Sequence, residues 1–252
     1  MEHDMDKEKW TVKFVIFRKK GNQPDRYDAF TLEVDPDEYI IDGVERIWAF
    51  HDRSLLFAHA CHHSTCGACG MRVNGVEKLT CITKIREVTN NGGTLRIEPM
   101  RNFPIVGDLV VDMTRLYARM DEAHGEALHP LSAAPLEGAG IRPPRETPHD
   151  NGHEYLRLAD CIECGLCISA CPIAGTAENY LGPATLAAVQ LQGIKRAPDL
   201  LALVDNADGV WRCHNAFECT AVCPSNVDPG WRIMDLRRQV VGERIKRWFV
   251  KA

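Results

Sequence analysis

From Trp10 to Phe17 the chain alternates apolar and polar residues (WTVKFVIF), and it does so again from Asp28 to Val34 (DAFTLEV). Alternation with a period of two turns one face of a strand to a core and the other to water. The polar KKGNQPDR between them carries turn residues, so the two runs predict a β-hairpin. A third such run, GTLRIEP, begins at Gly93. In the intervening PDEYIIDGVERIWAFHDRSLLF, Ile40, Ile41, Val44, Ile47 and Trp48 recur at helical spacing. Strands flanking a helix predict a small mixed sheet wrapped on one helix. Leu109, Val110, Met113, Leu116, Tyr117 and Met120 then repeat at about 3.6 residues, which predicts a helix closing a first domain at residue 120.

From His129 to Asp150 the pattern stops, and five prolines mark a connector within the second part, 121–252. After it the period is helical in EYLRLADCIECGLCISA, GPATLAAVQLQ, DLLALVDN and PGWRIMDLRRQVVGERIKRWFV, with Pro183 and Pro229 near helix starts. The prediction is an α+β chain, mixed sheet first and all-α domain second. The 252 residues suffice for two cores, and a net charge of -5 offers no basic field to nucleic acid. There is no run of eighteen apolar residues, and the N-terminal MEHDMDKEKW is charged, so neither a spanning helix nor a secretory signal is expected. Any membrane association then goes through a partner or a surface patch. The basic and aromatic residues from Trp231 to Phe249 suit either a solvated helix with one core face or a helix lying at a membrane surface.

Eleven cysteines in three groups change the picture. A disulfide framework belongs to small secreted chains and would leave one cysteine over; close groups without an export signal read as metal ligands. Cys61, Cys66 and Cys69 have C-x4-C-x2-C spacing, and Cys81 follows as a fourth thiolate, the plant-type 2Fe-2S pattern. Gly67 and Gly70 supply the backbone freedom that such a tight loop needs. The alternative, a structural zinc site, often uses paired C-x2-C knuckles, and this group holds one pair. His59, His62 and His63 crowd the loop, but with four thiolates present they are read as solvent-facing or as neighbours of the ligands.

The second group, CIECGLCISACP, is a complete bacterial-ferredoxin run of Cys161, Cys164, Cys167 and Cys171 before Pro172. The third, CHNAFECTAVCP, has Ala216 where a cysteine is due between Cys213 and Cys219. In two-cluster ferredoxins the fourth cysteine of each run ligates the other cluster. That crossing assigns Cys161, Cys164, Cys167 and Cys223 to a 4Fe-4S cube. It leaves Cys171, Cys213 and Cys219 for a centre one ligand short, which predicts 3Fe-4S. All eleven cysteines are then used; an oxygen ligand from Asn215 or Glu218 is the alternative at the open corner. His214 is either a polar residue satisfied beside a cluster or a partner for a sulfide, a quinone oxygen or a proton.

With FVIFR, NGVEKLTCIT, FPIVGDLVVDM and GPATL beside the two cysteine runs, the chain from Phe14 to Asp228 resembles the iron–sulfur subunits of succinate dehydrogenase and fumarate reductase, respiratory complex II. The resemblance implies a β-grasp 2Fe-2S ferredoxin-like domain followed by a helical bacterial-ferredoxin-like domain with the 4Fe-4S and 3Fe-4S clusters. It implies a FAD-bearing flavoprotein partner that carries the dicarboxylate chemistry, and membrane anchor subunits with a quinone. Pro172, Ile173, His214 and Ala216 are by this likeness the quinone-proximal residues. The implied activity is succinate:quinone oxidoreduction in the tricarboxylic acid cycle and respiratory chain, with fumarate reduction or service to another flavin dehydrogenase as the alternative. The chain would be peripheral, at the cytoplasmic face of the cell membrane. Two departures stand out: histidines replace the usual charged loop around the first cysteines, and IAGTAENY lacks the tryptophan common after the second run.

Overall fold

The alternating runs form β1 (Trp10–Arg18) and β2 (Arg26–Val34), paired antiparallel from Trp10 opposite Val34 to Arg18 opposite Arg26. The computed structural model describes residues 9–123, 161–195 and 198–251, and the chain divides into two compact units after Asp112. In the first unit, Val12, Phe14 and Ile16 of β1 face the core, as do Ile40, Ile41, Val44 and Ile47 of α1 (Ile40–Phe50). The helix lies so near the sheet that a Cβ on Gly43 would be 2.5 Å from the Phe14 ring. β3 (Gly70–Val73), β4 (Val76–Leu79) and β5 (Thr94–Glu98) complete a sheet of order β2-β1-β5-β3-β4. The β1–β5 pair is parallel and the others antiparallel. A parallel pair needs a long crossover, and this one carries α1 and the first cysteine loop. The mixed sheet with one covering helix is the expected β-grasp arrangement.

The β3–β4 hairpin was not anticipated from the periodicity, yet its turn is legible. Asn74 and Gly75 take φ of 50° and 86°, the pair of positive values that a two-residue Asn-Gly hairpin turn requires. Its strands are only four residues each, too short for alternation to announce them.

The helix expected from Leu109 starts later. Ile105–Gly107 and Val110–Val111 form a two-stranded ribbon, β6 and β7, and α2 spans Thr114–Glu122. Asp108 is the reason. It is fully buried at φ 41°, and its carboxylate accepts the Lys19 amide at 2.8 Å and the Leu56 amide at 2.9 Å. It also pairs with buried Arg18 at 3.2 Å, so this local turn outcompetes the helical period. The division after Asp112 also assigns α2 to the second unit, earlier than the expected boundary at 120.

In the second unit the described elements are helical: α2, α3 (Leu166–Ala170), α4 (Pro183–Gln192), α5 (Pro198–Val204), α6 (Glu218–Ala221) and α7 (Pro229–Lys251), with a 3-10 turn at Val210–Arg212. Pro183 and Pro229 are the first residues of α4 and α7, where a missing N–H costs nothing. α4 is buried on all sides from Pro183 to Val189, as an apolar helix at a core centre must be. α7 packs on it, burying Ile233, Leu236 and Val240, while Ile245, Trp248 and Phe249 farther along are exposed. Arg232 of α7 donates to Gln190 of α4 at 2.9 Å, and Gln190 donates to Asp235 at 2.8 Å. Among the described residues no helix is long and apolar enough to cross a membrane. The predicted connector, 129–150, lies outside the described residues.

Candidate metal centres

The first cysteine loop is held at both ends by backbone. At its start, the Leu56 amide is fixed by Asp108 and the Leu56 carbonyl accepts the Leu109 amide at 3.1 Å. At its end the β3–β4 register sets Gly70 opposite Leu79, which brings Cys69 and Cys81 to one end of the hairpin. Thr80 donates its hydroxyl to the Cys69 carbonyl at 2.9 Å, and the Thr80 carbonyl accepts the Ile41 amide of α1 at 3.2 Å. Gly67 has φ 72°, as the tight loop demands, whereas Gly70 opens β3 and needs no such freedom.

Amides point at sulfur here. Cys61 Sγ accepts the Thr65 N–H at 3.3 Å and the His63 N–H at 3.5 Å. Burial raises the Cys61 pKa, but hydrogen bonds from the Thr65 side chain and the His63 amide overcome it and bring it to about 5. The Cys81 thiol donates to Cys69, holding Cys69 down to about 6 against burial, while Cys81 itself is pushed up by that bond and by burial. Thiolates stabilised by amides are the ligand form that iron needs.

The second unit brings its seven cysteines into two sets. Cys164 is pushed up by burial and by the fields of Cys223 and Cys161; Cys167 is raised by burial and by Cys164, Cys161 and Cys223. These four line one cavity with Gly165, Pro224 and Pro229. Burial and then Cys171 and Cys213 push Cys219 up to about 12, and burial followed by Cys213 raises Cys171. Those three share a second cavity with Pro172, Ile173, Tyr180, His214 and Ala216. α3 and α6, the short helices of the two runs, pack together, and each cavity draws cysteines from both runs.

The two runs also share a backbone. Glu163 and Gly165 in the first have φ 50° and 76°; Asn215 and Phe217, at the same offsets in the second, have φ 60° and 61°. Ala216 therefore holds the position that Cys164 holds in the complete run, with only the sulfur lacking. Pro172, His214 and Ala216 are exposed, so this cavity opens to solvent at the incomplete corner.

Three residues here escaped the sequence reading. Tyr180 is buried in the three-cysteine cavity, its phenol pushed up by burial and by the nearby Cys171, Cys213 and Cys219. Arg237 of α7 donates to Asn215 Oδ1 at 2.9 Å, to the Val210 carbonyl at 3.0 Å and to the Cys213 carbonyl. Arg119 of α2 donates to the Glu178 carbonyl at 2.6 Å and to the Tyr180 carbonyl. In the sequence Arg237 reads only as one of the basic residues of the C-terminal segment.

The donor sets fit iron–sulfur clusters. Burial keeps these facing thiols protonated, and a cationic cluster core would displace their protons and take the thiolates as ligands.

Comparison with known proteins agrees. A 2Fe-2S iron-sulfur cluster binding domain matches residues 13–118, and a 4Fe-4S dicluster domain matches residues 157–227. The chain is 31% identical to a fumarate reductase iron-sulfur subunit of Mycobacterium tuberculosis, over 92% of each chain. It is 33% identical to one from Escherichia coli, over 81% of this chain and 78% of the relative. Among solved structures, a chain of the Mycobacterium smegmatis Sdh1 complex in the apo form superposes with TM-score 0.68 at 20% identity, covering 94% of this chain and 98% of that one, a likeness of fold. The cysteine loop of the first unit and the two cysteine-lined cavities of the second, with matches to both domains and relatives over nearly the whole length, make the chain an iron–sulfur electron-transfer subunit of the fumarate reductase/succinate dehydrogenase family.

Proposed function

We propose that the chain relays single electrons between a FAD-bearing flavoprotein partner and a quinone held with membrane anchor subunits, in a succinate:quinone oxidoreductase. The bound clusters supply one-electron carriers whose potentials follow from ligands, hydrogen bonds and exposure. In this reading Cys61, Cys66, Cys69 and Cys81 hold 2Fe-2S; Cys161, Cys164, Cys167 and Cys223 hold 4Fe-4S; Cys171, Cys213 and Cys219 hold 3Fe-4S. The observation that carries it is Ala216, which takes the conformation of a cluster ligand without the sulfur, at the solvent-open corner of the three-cysteine cavity. Pro172, Ile173 and His214 border that corner and would meet the quinone. Tyr180 excludes water from the buried side, and Arg237 fixes the Cys213 loop. The dicarboxylate chemistry belongs to the flavoprotein, and this chain sits peripherally at the cytoplasmic membrane face.

Iron and sulfide analysis with low-temperature EPR of anaerobically purified protein tests this. The oxidised protein should show a 3Fe-4S signal, and Ala216→Cys should convert that centre toward 4Fe-4S. Two intact cubes in the wild type, or zinc in place of iron, would refute the assignment. A second reading, electron flow from quinol to fumarate, is favoured by the names of the curated relatives, fumarate reductase iron-sulfur subunits. Rates of the intact membrane complex in both directions separate the two: faster fumarate reduction with a low-potential quinol selects the second.

A further inference from the structure

We propose that Glu45, His59 and His62 bind a divalent first-row transition ion, zinc foremost, at a site that uses none of the cysteines. His59 Nδ1 lies 2.9 Å and His62 Nε2 3.1 Å from Glu45 Oε1, and the two ring nitrogens are 2.9 Å apart. The three donor atoms thus form a nearly equilateral triangle. Adjacent ligands on octahedral zinc, at bonds of about 2.1 Å, stand about 3.0 Å apart, and on tetrahedral zinc about 3.4 Å. The triangle already has the edge length of a coordination face, and bonds of about 2.1 Å would set the ion about 1.2 Å above its plane.

Hydrogen bonding alone does not satisfy these atoms. Each ring nitrogen carries at most one in-plane proton, so three short edges cannot all be hydrogen bonds. Glu45 Oε1 is buried and has no aligned donor. One cation accepts a lone pair from all three.

The donors converge from two elements. Glu45 projects from α1, whereas both histidines belong to the loop that carries Cys61. The His59 ring stacks on Phe57 at 5.0 Å and 12° between planes, and His62 stands edge-on to it at 89°. His62 reaches that position with φ 58°. The three side chains are between 31% and 41% exposed, which leaves an open face for the ion to enter and for water to complete its shell. Two imidazoles with one carboxylate select zinc and its transition-metal neighbours over magnesium or calcium. A bound dication would clamp the loop to α1 and add positive charge beside Cys61, raising the potential of a cluster there.

The test uses the cluster-loaded full chain, stripped of loosely held metal, titrated with zinc chloride by calorimetry, with zinc and iron counted per chain. The expected result is one zinc per chain with no loss of iron. His59→Ala, His62→Ala and Glu45→Gln should each weaken binding at least about 30-fold, and His51→Ala should leave it unchanged. The EPR signal of the reduced 2Fe-2S centre checks that each variant is folded, and its midpoint potential should rise with zinc in the wild type only. No stoichiometric zinc, zinc that displaces iron, or binding unaltered in the three variants overturns the proposal. Because iron is counted separately, failure here leaves the reading of the cysteines standing.

Discussion

Arg18→Met should destabilise the first unit by about 3 kcal/mol. Arg18 is fully buried and pairs with Asp52 at 2.6 Å, Asp28 at 2.9 Å and Asp108 at 3.2 Å. Methionine fills much of the same volume but leaves Asp52 and Asp108 without their cation, while Asp28 keeps Arg26 at 3.1 Å, and Asp108 is as buried as the arginine. Breaking a buried pair from one side costs about 3–5 kcal/mol, and the lower end applies because Asp108 keeps the Lys19 and Leu56 amides. At about 4 °C per kcal/mol for a domain of this size, the midpoint should fall by about 12 °C. Since Asp108 fixes Leu56, bleaching of the 2Fe-2S chromophore on heating should report this unit. The pH dependence supplies a second reading. Hydrogen bonds from Ser54 and then from Arg18 hold the Asp52 carboxyl well below its ordinary value. Its folded pKa lies below the unfolded one, so its contribution is full above about pH 4 and is lost as pH falls through the depressed value. Arg18→Met should therefore flatten the acid limb of stability. Thermal melts followed by visible absorbance from pH 3 to 8 check both; a variant within about 1 kcal/mol of wild type with an unchanged acid limb refutes the reasoning.

Gly43→Ala should destabilise by about 1–2 kcal/mol despite alanine's better helix propensity, because the new Cβ meets the Phe14 ring at 2.5 Å. Adding Phe14→Leu should recover part of the loss in the same melt. Arg237→Leu removes a cation and three hydrogen bonds from the Cys213 loop, so the three-iron centre proposed there should titrate at a lower potential by EPR. An unchanged potential with lowered stability would make Arg237 purely structural. Asp205→Asn should lose the acid-side stability of the α5–α7 contact. Arg244 and then the Trp211 N–H lower the Asp205 pKa, so that stability is present above the ordinary carboxylate range and disappears as pH falls below it. Urea melts at pH 7 and pH 3 should lie closer together for the variant than for the parent chain.

What the sequence determined was local. Cysteine spacing is read as ligand sets because a cluster spans only a few ångströms, so C-x2-C-x2-C-x3-C-P and its defective copy carry the expectation of two linked sites. Period-two and period-3.6 patterns likewise declared β1, β2, β5, α1 and α7, since burial of one face is written residue by residue. Tertiary structure decided what depends on meetings across the chain. A helical period from Leu109 yielded to a turn because Asp108 found Arg18, Lys19 and Leu56, and a buried, satisfied carboxylate outweighs local propensity. The equivalence of Ala216 and Cys164 rests on matching left-handed residues, which letters do not show for Asn215 and Phe217. The triangle of Glu45, His59 and His62 exists only because α1 and the cysteine loop fold onto each other. Ligand identity is carried by the sequence; convergence of donors from separate elements is a property of three dimensions.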